Sequence, residues 1–144
     1  MKKITTRGAE YVMSASFEFD VTDTMDDVDG NEVALGASGG NVFEAVKLPP
    51  GSQVIGGDVT VLTASNDTGI STLTLGDETT ANRYADGVNL KSAGRSALTL
   101  TGFQNDAGES LRATVANANG NATTGRVKIT VQYISDRINE AQSH

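Results

Sequence analysis

Cysteine is absent from the 144 residues, and the single histidine is the last residue, His144. Without cysteine there is no disulfide framework, no thiolate zinc site and no Cys nucleophile. With its one imidazole at the chain end, a Ser-His-Asp triad inside a folded site has no base. Tryptophan is also absent and aromatics reach only 5%. The interior must then be filled largely by Ala, Thr and Val, which suits sheets packed closely through small β-branched residues. Cations are in deficit, 11 Lys+Arg against 18 Asp+Glu for a net charge of −7. A chain so acidic does not hold nucleic acid by bulk charge, because Lys and Arg carry phosphate binding. Long apolar runs are missing too. The start, MKKITTRGAEYVM, lacks the roughly 7–15 apolar residues of a secretory signal. Nothing approaches the roughly 18 of a membrane-spanning helix. The expectation is a soluble protein with no membrane partner, used or assembled in the compartment where it is made.

What is present is a period of two. In residues 11–21 the odd positions are Tyr11, Met13, Ala15, Phe17, Phe19 and Val21, alternating with Ser14, Ser16, Glu18 and Asp20. That pattern predicts a long strand with one apolar face. Val127, Ile129, Val131 and Tyr133 alternate in the same way with Lys128, Thr130 and Gln132, and the two strands are expected to pair or to face each other. Shorter strands are predicted over 42–48, 53–64, 70–75, 98–103 and 110–116. Pro49-Pro50-Gly51 closes the first of these, since no helix continues through it. Gly-Asx turns separate the rest, including Asp29-Gly30-Asn31, Asn66-Asp67-Thr68-Gly69, Gly76-Asp77 and Asn105-Asp106-Ala107-Gly108. Gly and Asn tolerate the positive φ that tight hairpins require.

The predicted fold is all-β, an antiparallel β-sandwich or jelly roll. Helix is expected only as one turn within 81–90 and as a short C-terminal helix over 135–142, with Ser135 as N-cap. The length suits one domain of the common size of roughly 100–150 residues. The expected organisation is an N-terminal arm over 1–9, a body over 10–134 and a tail over 135–144.

Several constellations invite a chemical reading. Asp20, Asp23, Asp26, Asp27 and Asp29 precede Gly30-Asn31-Glu32, and oxygen-rich loops of this kind can bind Ca²⁺. With Gly30 at the sixth position of an EF-hand loop, however, Met25 and Gly36 fall at the first and twelfth, and neither is a ligand. The simpler reading is a solvated acidic loop. Asp77-Glu78 and the pair Asp106 and Glu109 lie on Gly-flanked turns, where exposure rather than a sheltered catalytic cleft is expected. Gly36-Ala37-Ser38-Gly39-Gly40 lacks the lysine and following helix of a phosphate-binding loop and reads as a flexible connection. No serine stands in Gly-x-Ser-x-Gly. These patterns give no catalytic, cofactor-binding or metal-ligating residue. The remaining candidates are contacts. Lys2, Lys3 and Arg7 form a basic arm on an acidic chain, suited to an acidic partner surface. Arg83 and Tyr84 sit in a polar loop, either as an exposed contact pair or with Tyr84 plugging one end of the body.

From Glu44 to Gly94 the text is distinctive. The strand ending Leu48-Pro49-Pro50-Gly51 leads to the strand over 54–62. Asn66-Asp67-Thr68-Gly69 then precedes Ser71-Thr72-Leu73-Thr74-Leu75-Gly76-Asp77, and Tyr84-Ala85-Asp86-Gly87-Val88 and Ala93-Gly94 follow. With the closing strand over 127–134, this resembles small virion structural proteins of tailed bacteriophages, of the capsid decoration or cement type. The resemblance covers about residues 41–134. It implies a jelly-roll or β-sandwich body and a homo-oligomer, often a trimer, seated on the major capsid protein. It also implies a place on the virion surface after synthesis in the bacterial host cytoplasm, and it transfers no catalytic residue. The arm over 1–9 and the loop over 22–41 are the expected contact segments. The alternative is a carbohydrate-binding or adhesion module, against which the lack of Trp and the three Tyr weigh.

Overall fold

The computed structural model describes residues 12–135, and these hold eleven strands, all antiparallel where they pair, with no helix. In chain order they are β1 (Met13–Asp20), β2 (Thr24–Asp26), β3 (Glu32–Ala34), β4 (Gly39–Val46), β5 (Ser52–Thr63), β6 (Ser71–Gly76), β7 (Ala85–Asn89), β8 (Gly94–Ala97), β9 (Gln104–Asn105), β10 (Leu111–Asn117) and β11 (Arg126–Ser135).

The two longest alternating segments pair as expected. β1 and β11 run antiparallel in unbroken register from Met13 opposite Tyr133 to Asp20 opposite Arg126. Alternation puts Phe17 and Phe19 on the same face as Val127, Ile129 and Val131, and leaves Ser14, Ser16 and Glu18 in solvent. One sheet has the order β1-β11-β5-β8, with β9 added to β5; the other has the order β4-β10-β6-β7. β2 and β3 form a separate hairpin. Successive main strands change sheet: β1 lies in the first, β4 in the second, β5 in the first and β6 and β7 in the second. β8 then returns to the first, β10 to the second and β11 to the first.

One hydrophobic core takes its side chains from both sheets. Phe19, Val59, Val127, Ile129 and Val131 come from the first, and Phe43, Leu73, Leu75, Leu111, Ala113 and Val115 from the second. β10 shows why these residues make a strand. Leu111, Ala113 and Val115 are buried at every second position while Arg112, Thr114 and Ala116 are half-buried on the other face.

Four local expectations are corrected. Residues 98–103 form no strand. Leu98 donates its N–H to the Gly57 carbonyl of β5 at 3.1 Å, and Thr99 donates to the Tyr84 carbonyl at 2.8 Å, so successive N–H groups go to separate segments instead of to one neighbouring strand. The strands flanking this connection are β8 and β9, both paired with β5 in the first sheet. Residues 81–90 hold no helical turn, because β7 pairs with β6 there. The loop over 22–41 contains the β2–β3 hairpin and the start of β4. Its glycine-rich part is not a free connection, since Gly36 donates to the Val21 carbonyl and Gly39 and Gly40 pair with Asn117 and Ala116. Ser135, the expected N-cap of a C-terminal helix, is instead the last residue of β11, opposite Ser52. The rest of that expected helix and tail lies outside the described residues, as do Lys2, Lys3 and Arg7.

Candidate interaction surfaces

The Asx turns noted in the sequence carry the end of the body where the β5–β6 loop meets the β10–β11 loop. Asp67 is buried, and its carboxylate accepts the N–H of Gly69 at 2.7 Å and of Gly120 at 2.8 Å. These bonds, led by the one from Gly69, hold the carboxyl below its ordinary value against the opposing effect of burial. Asn66 accepts the N–H groups of Thr123 and Thr124 and donates to the Thr123 hydroxyl. Asn121 accepts the Thr68 N–H and donates to the Thr68 hydroxyl. The two loops are thereby one rigid polar tip. Ile70, 73% exposed, stands beside it. A Cβ on Gly120 would collide with the backbone of Ser38, and its φ of +66° is one that favours glycine.

The opposite loops hold Arg83 and Tyr84. Arg83 donates to the Asp77 carboxylate at 2.6 Å and to the Thr80 hydroxyl at 3.1 Å, and its guanidinium lies 3.5 Å from the Phe103 ring centroid. The Asp77 side chain is 2% exposed and that of Arg83 16%. Tyr84 is 3% exposed and belongs to the core. Burial first, and then the nearby Asp77 charge, raises its phenol above the ordinary value. The tyrosine therefore plugs the body, and the arginine is committed to an internal clamp; the two do not form an exposed contact pair. Residue spacing alone gave no sign of Phe103 under Arg83, because the partner lies twenty residues downstream in the β8–β9 connection.

The acidic segment after β1 serves turn geometry. The Asp27 carboxylate accepts the N–H groups of Asp29 and Asn31, and Gly30 takes a positive φ of +86° at the hairpin tip. Asp20 accepts both the N–H and the hydroxyl of Thr22, which lowers its pKa. Among the described residues no group of three or more His, Asp or Glu is placed to hold a metal ion. Between this hairpin and the β9–β10 loop lies a cleft of about 640 Å³ with Asp26, Asp27, Glu44, Glu78 and Glu109 on its walls and Arg112 as its cation. Glu109 there accepts the N–H and hydroxyl of Thr79, and Glu44 accepts the Ser110 hydroxyl. Their lone pairs go to loop closure.

No protein-family model matches this chain, and no curated protein matches it in sequence. Solved structures do match in fold. A chain of the capsid asymmetric unit of cyanophage Pam1 superposes with a TM-score of 0.63 at 19% identity, covering 93% of this chain and 94% of that one. A chain of the acid-stable capsid of the Helicobacter pylori bacteriophage KHP30 gives a TM-score of 0.58 at 19% identity, covering 87% and 92%. At such identity the likeness is one of fold, and it spans nearly the whole of all three chains.

Proposed function

We propose that this chain is a non-enzymatic structural protein of a bacteriophage virion, a decoration or cement protein that binds the outer face of the capsid and stabilises it through contacts. The observation that carries the reading is the strand order, β1-β11-β5-β8 over β4-β10-β6-β7. We read it as an eight-stranded jelly roll, and it is matched over almost full length by chains of two phage capsid structures.

The physical features fit a protein that works by being held in place. The carboxylates of Asp20, Asp27, Asp67 and Glu109 close turns and loops, and those of Glu18, Asp58 and Asp77 pair with arginines. Among the described residues no aromatic ring is exposed: Phe19, Phe43 and Tyr84 are buried and Phe17, Phe103 and Tyr133 half-buried, so none of these is the open stacking platform that sugar-binding modules use. Loops tied by side-chain hydrogen bonds are pre-organised, so little ordering entropy is lost on docking. Exposed Ile70, Leu62 and Leu100 supply apolar contact points on a polar body. The net charge of −7 keeps unassembled copies apart in solution. A trimer is the expected assembly, in contact with the major capsid protein through the N-terminal arm and the hairpin loop over 22–41.

Cosedimentation of the purified chain with capsid shells tests this. Saturable binding to shells, and a rise in the temperature at which they rupture, is the expected result. Shells that neither bind the chain nor gain stability from it contradict the proposal.

A further inference from the structure

β1 terminates its sheet. One side pairs with β11 along its full length, and among the described residues no strand pairs with the other. The Asp20 N–H at the end of β1 is accepted by the Asp23 carboxylate at 2.8 Å, and the rest is a long edge to leave without a neighbouring strand, since unpaired N–H and C=O groups are a template for another one. Beside the edge runs a groove of about 470 Å³, bordered by Phe17, Glu18 and Phe19 and by Asp23, Thr24 and Met25. Phe17 and Met25 are half-buried and give it an apolar floor, while the exposed Glu18, which pairs with Arg126 at 3.2 Å, and Asp23, which accepts the Asp20 N–H at 2.8 Å, give it an acidic rim. A strand addition site needs these parts: main-chain groups along one side, and a pocket that selects alternate side chains.

The chain itself carries a segment of matching chemistry. Residues 2–7 read Lys-Lys-Ile-Thr-Thr-Arg, three cations without an acid, with strand-forming Ile and Thr between them. In an extended strand Ile4 shares its face with Thr6 and, at the end, Lys2, opposite Lys3, Thr5 and Arg7. One face then suits the apolar floor and the other the acidic rim. The register decides whose groove is filled. Gly8 is the one turn-forming residue before β1, and a two-residue reversal at Arg7-Gly8 would set Lys2 opposite Met13 and Met1 opposite Ser14. That stops short of Phe17. Beyond Gly8 the apolar alternation through Ala9, Tyr11 and Met13 offers no second reversal.

We infer that residues 2–7 of one copy add a strand to the free edge of β1 in a second copy. This rests on the oligomeric reading above and names its contact. Segment and groove are different surfaces, so the contact is head-to-tail and closes into a ring where the rotation allows. A trimer is such a ring.

The absence of native cysteine makes the test clean. Two differently tagged chains, one carrying Ile4→Cys and the other Thr24→Cys, are mixed and oxidised, both in solution and on assembled particles. The expected product is a disulfide joining the two tags. It should be lost when Glu18→Lys and Asp23→Lys are added to the Thr24→Cys chain, and absent when Leu62→Cys replaces Thr24→Cys. No joined product in either setting overturns the inference, as does a chain carrying both cysteines that closes the bond within itself. The virion role is read separately: a chain found in particles without the cross-link removes only the exchanged strand. A cross-link in solution from a chain absent from particles removes only the virion role.

Discussion

Gly120 donates its backbone N–H to the Asp67 carboxylate at 2.8 Å, across 53 positions of sequence. The bond joins the loop after β5 to the loop after β10, and Gly69 completes the carboxylate's coordination from its own turn. A pH dependence follows. The folded pKa of Asp67 lies below its ordinary 3.8, so its stabilising contribution is present above that value and is lost as pH falls through the lowered one. Asp67→Asn should therefore lower the urea midpoint at neutral pH, and the gap to the wild type should close below pH 3.8. A gap that persists unchanged into acid would contradict this role.

Gly120→Ala attacks the same clasp from the other side. The new Cβ meets the Ser38 backbone at a positive φ, and the cost should exceed the roughly 1 kcal/mol that a Gly-to-Ala change gains at compatible sites. Thermal unfolding should show a lower midpoint, whereas Gly30→Ala, with open space around its Cβ, pays for backbone strain alone and should lose less.

The clamp on Arg83 should be energetically coupled. Arg83→Met leaves the Asp77 carboxylate, 2% exposed, without its cation, and breaking such a buried pair costs about 3–5 kcal/mol. Arg83→Met combined with Asp77→Asn should cost clearly less than the sum of the two single changes. A double-mutant cycle by chemical denaturation measures this, and additive losses would show that the pair is not coupled.

In the core, Phe43 is fully buried opposite Ala113, and Phe43→Ala should cost about 3–5 kcal/mol. Ile129→Val, at an equally buried site on β11, should cost about 0.5–1.5 kcal/mol. At the far end of β11, Ser52 and Ser135 face each other in register, both buried, with hydroxyls that find no partner among the described residues. Replacing both by Ala should leave stability unchanged or raise it by up to about 1 kcal/mol. A loss of more than that in denaturant titrations would mean that the hydroxyls are satisfied.

Much of the framework was legible because a period of two survives wherever one face is buried. β1 and β11 could be read from alternation, which left open whether they pair or face each other; the structure pairs them. The Asx turn at Asn66-Asp67-Thr68-Gly69 was legible from its local Asp67–Gly69 bond, while its bonds to Gly120, Asn121 and Thr123 reach more than fifty positions away and were not. Residues 98–103 misled because Leu98 and Leu100 alternate like a strand, although the N–H groups of Leu98 and Thr99 go to two separate segments, Gly57 of β5 and Tyr84 ahead of β7. Residues 85–89 misled because Ala85 and Gly87 carry little strand signal; their pairing is imposed by β6. Arg83 and Tyr84 looked like neighbours at a surface, but one turns to Asp77 and Phe103 and the other into the core. Only long-range packing separates those fates.

The composition of purified phage particles tests the central claim most directly. Mass spectrometry of intact particles should find this chain in fixed ratio to the major capsid protein, and brief protease treatment should remove it without opening the shell. Particles that contain the major capsid protein but lack this chain, or hold it only where protease cannot reach, would contradict the account.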